Sequence, residues 1–476
     1  MSAGRTSPHT GKASILHDYF KNIIGTTSNS AINFDLDRLL SDSKLTTSQA
    51  CSLIRPFSLE EIKMAILTMN VNASPRPDGF GPAFFRINWD LVKHDLLALM
   101  NDFHIGSADL RRINRAFIVL LPKRVGASSP DNFRPVSLQN CIIKISSKCL
   151  ASRAQPFIPL IIHHDQSGFI KGRSIADNFI YAADIVQTCF KRKKSTIVLK
   201  LDFHKAFDSV SWDALMATLK AKGFPSKWCD WIQNLNETSQ SAVLLNGKPG
   251  PWIACKKGLR QGDPTSPLLF IIVADVLQRL IHEASSNGLL SHPIDSNIPC
   301  PVLQYADDTL IILQADIEQL HTLKSILLQF SNATGLVINF HKSTFAPIHV
   351  EPTLASALAS ILGCTVASFP QSYLGLPLST HKLNIKDFFF IIDKIDRRLA
   401  GWRGVLLNIA GRAILVRVVL RALPIYAMTA LWLPAGIVQE IDKRCRAFFW
   451  AGQEKVSGGQ CKVAWEFVCA PFSRGG

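Results

Sequence analysis

Val302-Leu303-Gln304-Tyr305-Ala306-Asp307-Asp308-Thr309-Leu310-Ile311-Ile312-Leu313 is the stretch whose reading decides the fold. The apolar runs Val302–Leu303 and Leu310–Leu313 predict two short strands with an acidic pair at the turn between them. Adjacent carboxylates at a tight turn repel each other, and nothing in the local sequence neutralises them. Set on rigid strands with a third carboxylate nearby, they have the chemistry to hold a divalent metal. An isolated Asp-Asp pair reads equally well as a solvated acidic turn. The sequence upstream separates the two readings.

Upstream lies Ile197-Val198-Leu199-Lys200-Leu201-Asp202-Phe203-His204-Lys205-Ala206-Phe207-Asp208. Ile197, Leu199, Leu201 and Phe203 alternate with Val198, Lys200 and Asp202, which predicts a strand with Asp202 near its exit. Between this strand and the acidic turn stands Arg260-Gln261-Gly262-Asp263-Pro264. Taken in this order, the three stretches resemble motifs of reverse transcriptases: a catalytic carboxylate at a strand end, a template- and nucleotide-facing loop, and the Tyr-Ala-Asp-Asp turn. The chain resembles in particular the polymerases of LINE-type (non-LTR) retrotransposons, especially those of plants, from about Phe57 to about Trp450.

That resemblance implies an α+β right-hand polymerase with fingers, an antiparallel-sheet palm and a helical thumb. Its implied organisation is a loosely ordered lead-in over 1–56, a helical extension over 57–103, fingers and palm over 104–378, the thumb over 379–450 and a truncated segment over 451–476. It implies two Mg²⁺ ions, with Mn²⁺ as an alternative, held by Asp202, Asp307, Asp308 and the Phe203 carbonyl. Lys342 follows the strand expected over Leu336–Asn339, where such polymerases carry a lysine that protonates the departing pyrophosphate. Arg134, and with it Lys123, would grip the incoming triphosphate, because phosphate calls for cationic, multidentate donors. Arg260, Gln261, Gly262, Tyr305 and Ala306 would face template and nucleotide. Phe207, five residues after Asp202, stands where the family places an aromatic ring under the sugar to exclude a 2′-hydroxyl. Asp208 is expected to be structural. The implied partners are an RNA template, a DNA primer and dNTPs, and the implied location is the nucleus.

Composition agrees with this class. The chain has 476 residues, 47% of them apolar, enough for a large core and against wholesale disorder. A formal net charge of +16 suits a polyanionic partner. The 11 cysteines are scattered, without Cys-x-x-Cys or paired histidines at metal-ligand spacing, and read as reduced thiols of an intracellular protein. The first twenty residues hold no apolar core of a signal peptide. The apolar run Leu423–Val438 is broken by Pro424 and Pro434 and is too short for a membrane helix, so it is expected to be buried core.

Along the chain, short helices are expected around Ile15–Ile24 and Asp35–Leu40. Ser58-Leu59-Glu60-Glu61 predicts a capping box, and Asn88 a second cap with Leu91, Val92, Leu96, Leu99 and Met100 on the apolar side of its helix. Ser74-Pro75-Arg76-Pro77-Asp78-Gly79-Phe80 resembles the loop that opens the LINE polymerase region, with Arg76 where that family usually has Gly. A strand is expected over Ala116–Pro122, a second element over Phe133–Leu138 and a helix from Cys141 to about Ala154. Asp165–Phe169 with Gly172-Arg173 matches a fingers block that would cradle template. Lys191-Arg192-Lys193-Lys194 reads as an import signal, a phosphate contact or a solvated loop. Asn246-Gly247 predicts a hairpin turn. Ser266 is expected to cap a helix that has Pro267 at its first position. A helix over Ile317–Thr334 ended by Gly335, and a strand over Leu336–Asn339, follow. Tyr373–Leu378 resembles the element that holds the primer end. Helices Gly411–Leu423 and Ile437–Trp450 present Arg412, Arg417, Arg421, Lys443, Arg444 and Arg446 as faces suited to a duplex backbone.

Two rival readings follow from the same residues. One is a degenerate or maturase-like RNA-binding protein without polymerase activity, which Arg76 and the lack of endonuclease or RNase H modules favour and the intact acidic trio opposes. The other is an RNA-dependent RNA polymerase, which Phe207 opposes. The missing modules lead to the expectation that the chain is a piece of a larger element.

Overall fold

The computed structural model describes residues 9–27, 30–74, 76–399, 406–453, 455–471 and 473. Pro75 of the loop before Arg76, and the end of the expected C-terminal segment at 474–476, lie outside them. The described chain mixes sheets and helices and divides into two compact units. One unit comprises 1–173 and 193–367, the other 174–192 and 368–476. The hairpin around Tyr373 therefore groups with the C-terminal helices rather than with the expected fingers-and-palm segment.

The first unit holds two sheets. One is built from β1 (Arg115–Pro122), β2 (Phe133–Gln139), β4 (Gln240–Leu245), β5 (Lys248–Pro249) and β6 (Ile253–Ala254) in the order β2-β1-β4-β5, with β6 also on β4. Within it Asn246 and Gly247 both take positive φ (51° and 79°), the left-handed pair that a two-residue hairpin needs. The other sheet is built around β3 (Thr196–Leu201) in the order β10-β9-β3-β8-β7. Here β7 is Val302–Tyr305, β8 Asp308–Gln314, β9 Thr344–Ile348 and β10 Thr365–Val366. Both faces of β3 are covered, since Ile197, Val198, Leu199 and Leu201 are all at most 2% exposed. A strand buried on both faces carries a run of β-branched and aliphatic residues, and this one does.

β9 was not anticipated, and the strand expected over Leu336–Asn339 is a single bridge, Phe203 to Ile338. Pro347 masks β9 in the sequence because proline cannot donate to a ladder. It is tolerated because β10 pairs only with Thr344 and Phe345, leaving Pro347 with a neighbour on the β3 side alone.

Helices cover this sheet. Ser266–Ser286 is buried along nearly its whole length and packs on Ile317–Thr334 and Trp212–Ala221. Its cap is Thr265, one residue earlier than expected, with Asp263 accepting from the Thr265 backbone and hydroxyl. Ile317–Thr334 is capped by Asp316 and closed by Gly335 at φ 78°, and it buries Leu320, Leu323, Leu327 and Phe330.

The N-terminal segment is more ordered than a loose lead-in. Helix His9–Ile24 sets Phe20 (2% exposed) against Ile118, Val243 and Ile253 of the first sheet. Leu40 and Leu53 are fully buried, the latter in a helix (Thr47–Leu53) that was not foreseen. At Ser58 half of the capping box forms: Ser58 accepts from Glu61 N, but the Glu61 carboxylate turns to the Arg153 guanidinium at 2.7 Å on both oxygens. Arg153 also donates to the carbonyls of Leu53, Arg55 and Pro56, which ties these helices to Cys141–Ala154. Asn88 does not cap Trp89–Ile105 with its side chain, which donates back to Phe84 O, and Leu91 is 78% exposed. Arg76 is buried and donates to Ser74 O, while Gly79 supplies the loop's left-handed residue.

The second unit contains Ile175–Lys191, the hairpin of β11 (Gln371–Tyr373) with β12 (Leu376–Leu378), and the C-terminal helices. Tyr426 Oη donates to Leu374 O and ties the hairpin to them. The run Leu423–Val438 is not buried core: Ile425, Met428 and Trp432 are exposed, because Pro424 and Pro434 break it into short pieces. The expected basic faces are thinner than the sequence suggests. Arg444 pairs with Asp396 and Glu440, Lys443 with Glu440, and Arg412 donates to the carbonyls of Leu407 and Trp450. Arg417, Arg421 and Arg446 are exposed. No disulfide joins cysteines among the described residues. No helix among the described residues is long and apolar enough to cross a membrane.

Candidate active site

The chain places its acidic residues at one end of the second sheet. β3 and β8 run antiparallel with Leu201 opposite Thr309, so one further step sets Asp202 beside Asp308. Neighbouring strands lie about 4.8 Å apart, within reach of two carboxylate side chains. β7 and β8 close with Tyr305 opposite Asp308, leaving Ala306 and Asp307 as the turn. Side chains alternate along a strand, so Lys200 shares the face of Asp202, and its Nζ lies 3.9 Å from Asp308 Oδ1. The acidic pair that lacked a local counter-charge thus has one across the sheet.

Burial pushes the Asp307 carboxyl above the usual range, and the charges of Asp308 and Asp202 push the same way while Arg134 pulls it back. The three carboxylates, whose like charges repel, do not close on each other: one oxygen from each does not come within 4.8 Å of the other two. A divalent cation reverses that repulsion, so this donor set fits hard ions that take oxygen ligands.

The turn is held under strain. Ala306 is buried and takes φ 55°, a region that non-glycine residues seldom occupy. Gln166, fully buried, holds it: its Oε1 accepts from Ala306 N at 2.9 Å and from Gly168 N at 2.8 Å. The backbone around it pairs with β7, Ser167 N donating to Gln304 O and Gln304 N to Asp165 O. Gly168 lies so close that a Cβ there would meet Ala306 N at 2.4 Å. The stretch expected to cradle template is therefore also the strut beneath the acidic turn.

Asp202 is anchored by residues with no signal in the sequence. Asp202 N donates to Ser343 Oγ at 3.0 Å, and Asn339 N donates to Asp202 O at 2.7 Å. His204 N donates to Val337 O, which completes the crossing at Phe203. Lys342 follows Asn339 and is exposed. Beyond Phe203 the chain turns through Lys205 at φ 45° into the short helix Ala206–Ser209. Phe207 is half-buried, with its ring stacked 4.5 Å from Phe270 and edge-on to Phe169.

A group of cations stands near these carboxylates. Burial lowers the Lys123 ammonium below its usual range, and the positive charges of Lys205, Lys342 and Arg134 lower it further. Lys205 pairs with Asp131 at 3.3 Å and lies over the Tyr19 ring, and Tyr19 Oη donates to Asp131. Sequence reasoning named Lys123, Arg134 and Lys342. It missed Lys205, and saw no chemistry in the segment that carries Tyr19.

The loop at 260–264 divides its residues between two jobs. Arg260 is tied to the protein: its guanidinium donates to Asn114 Oδ1, Asn114 O and Gln240 O, fastening the loop to the first sheet. Gln261 O accepts from Ser137 N, and its side chain bonds Asp208. Gly262 takes φ 108°, and a Cβ there would press on Ser137 O at 3.1 Å. Asp208 is buried, and burial raises its carboxyl to about 6.

Residues 121–378 match the family model described as reverse transcriptase (RNA-dependent DNA polymerase). The chain is 27% identical over 413 residues to a transposon TX1 uncharacterized 149 kDa protein of Xenopus laevis, covering 85% of this chain and 31% of that protein. It is 28% identical over 325 residues to a retrovirus-related Pol polyprotein from type-2 retrotransposable element R2DM of Drosophila melanogaster, covering 67% and 29%. A probable RNA-directed DNA polymerase from transposon BS, also of Drosophila melanogaster, is 25% identical over 245 residues, covering 49% and 26%. The chain thus spans about a third of the length of the curated relatives it matches. With the matched segment running from the end of β1 to the end of β12, through both halves of the acidic site, the chain belongs to the reverse transcriptase (RNA-dependent DNA polymerase) family, among those of non-LTR retrotransposons.

Proposed function

We propose that this chain copies RNA into DNA, extending a primer 3′-hydroxyl with dNTPs on an RNA template by two-metal nucleotidyl transfer. The observation that carries the reading is the register of β3 on β8, which sets Asp202, Asp307 and Asp308 at one end of the second sheet. Two Mg²⁺ ions, with Mn²⁺ as an alternative, would when bound lower the pKa of the primer hydroxyl and offset the charge of the triphosphate. Asp202, Asp307, Asp308 and the Phe203 carbonyl are the groups that would hold them.

The chain's own residues do the rest. Lys123, Arg134 and Lys205 attract and orient the triphosphate, and Lys342 gives a proton to the leaving pyrophosphate. Phe207, braced by Phe270, presents an edge to the sugar and excludes a 2′-hydroxyl. Gln261, Gly262, Tyr305 and Ala306 form the floor for base and phosphate. In this reading the first sheet and its helices are fingers, the second sheet is the palm, and the C-terminal helices supply the thumb through Arg417, Arg421 and Arg446. Priming at chromosomal DNA puts the reaction in the nucleus.

Primer extension on a homopolymer RNA template tests the proposal. Asp307→Asn is expected to abolish Mg²⁺-dependent extension while the thermal melt is kept, and undiminished extension by that variant would refute the assignment. Wild-type protein that binds primer-template without incorporating would instead be the non-polymerising RNA binder. Preference for rNTPs over dNTPs would make it an RNA polymerase.

A further inference from the structure

Away from the carboxylates described above, the first unit contains a second group of metal-ligating side chains. His163 and Asp165 lie on the segment that precedes the Gln166 strut, and His282 projects from helix Ser266–Ser286. One ligand atom from each lies within 4.8 Å of the others, the one such trio of His, Cys, Asp and Glu among the described residues. The two imidazoles meet edge to face at 4.3 Å, and His163 Nδ1 is 3.8 Å from Asp165 Oδ2. We propose that His163, Asp165 and His282 form a binding site for one transition-metal ion of the zinc class, separate from Asp202, Asp307 and Asp308.

Three features carry this. The donor set is two imidazoles and one carboxylate, which suits zinc-class ions over magnesium or calcium. The donor atoms are already drawn together by weak polar contacts that an ion would replace: Asp165 N donates to His163 Nδ1 at 3.3 Å, and the Gln278 amide stands 3.3 Å from His282 Nε2 and 3.4 Å from Asp165 Oδ2. The surrounding cations are already matched: Lys222 by Asp275 at 2.7 Å, Arg279 by Asp42 and Asp275, and Arg38 by Glu283, while Arg173 donates to backbone carbonyls. An ion therefore meets a roughly balanced field.

The site is within reach of solvent and close to its geometry. A surface groove opens at His163, His164 and His282 between Arg38 and Arg279. Ligand atoms of a tetrahedral zinc ion, with bonds of about 2.0–2.1 Å, stand about 3.3 Å apart. Closing the 3.8 Å separation of His163 and Asp165 asks for a side-chain adjustment of about half an ångström. The exposed His164, 3.3 Å from Asp165, is placed to become a fourth ligand or to leave that position to water. Because Asp165 O accepts from Gln304 N, and Gln166 holds Ala306, an ion here stiffens the support of the acidic turn without touching it.

The test is metal binding by the full chain carrying Asp307→Asn, so that the carboxylates of the acidic turn do not dominate the readout. After chelator treatment, titration with Zn²⁺ alone is expected to give one tight equivalent and a higher melting temperature. Co²⁺ is expected to give the intense visible absorption of a tetrahedral site, a measurement that needs no further variant. Adding His282→Gln, or Asp165→Asn if the first does not fold, is expected to remove the equivalent and the absorption. Absence of a tight equivalent, weak octahedral absorption at saturating Co²⁺, or an equivalent that survives both substitutions would each overturn the proposal.

Discussion

Gly168→Ala is the sharpest perturbation of the acidic site that leaves every carboxylate in place. The added Cβ would meet Ala306 N at 2.4 Å, Gln166 Oε1 at 3.0 Å and Tyr305 C at 3.1 Å. Real Cβ contacts below 3.0 Å essentially do not occur, so the backbones at residue 168 and Ala306 must separate by at least 3.0 − 2.4 = 0.6 Å. Ala306 is already at φ 55° and is held by a 2.9 Å hydrogen bond to Gln166, so its relief requires stretching that bond. Overpacking of this kind typically costs about 1–3 kcal/mol, and a buried hydrogen bond lost with it about another 1 kcal/mol. The displacement passes directly to Asp307, the next residue, and catalytic groups need placement to within about 0.5 Å. The expected outcome is a loss of primer extension on the order of 10–100-fold in kcat, with little change in the KM for dNTP. Single-turnover extension and urea unfolding, run side by side, separate the two effects. A variant that extends primers within twofold of wild type and unfolds at the same urea concentration would show that Gly168 does not support the turn.

Other expectations follow from the same geometry. Phe207→Val is expected to raise rNTP relative to dNTP incorporation by about tenfold, since one apolar contact is worth about 1–3 kcal/mol of discrimination; an unchanged ratio would leave Phe207 as a packing residue on Phe270. Arg260→Lys loses the forked donation to Asn114 and Gln240, so stability should fall by about 1–3 kcal/mol while the KM for dNTP stays put; the reverse pattern would return Arg260 to the nucleotide. Asp208 has a folded pKa of about 6, above its unfolded value, so the native state binds more protons between about pH 4 and 6. Stability from this group is present at low pH and falls as pH rises through that window, by about 2–3 kcal/mol at most. Urea melts from pH 4.5 to 7.5 should therefore show a flatter slope for Asp208→Asn than for wild type.

Much of the architecture was legible in local chemistry. The acidic hairpin, the strand leading to Asp202, the Asn246-Gly247 turn and helix Ile317–Thr334 with its Gly335 stop all carry periodicity, turn or capping signals that act within a few residues. Neighbours supply those signals, so the sequence alone determined them, together with the order of motifs that placed the chain in its family. What it could not contain was the choice of partners across the chain. Glu61 turned from its own helix end to Arg153, Arg260 is fastened to Asn114, and Arg444 reached Asp396, because each ion found an opposite charge or carbonyl on a distant segment. β9 formed at Thr344–Ile348 despite Pro347 because β3 needed a second neighbour and the missing donor faced no strand. Lys200 reached Asp308, and Gln166 reached Ala306, only once the sheet had brought them together. Local sequence therefore determined which residues could do chemistry, while tertiary packing decided which of them face a site and which hold it, since pairing energies between distant segments exist only after the chain has closed.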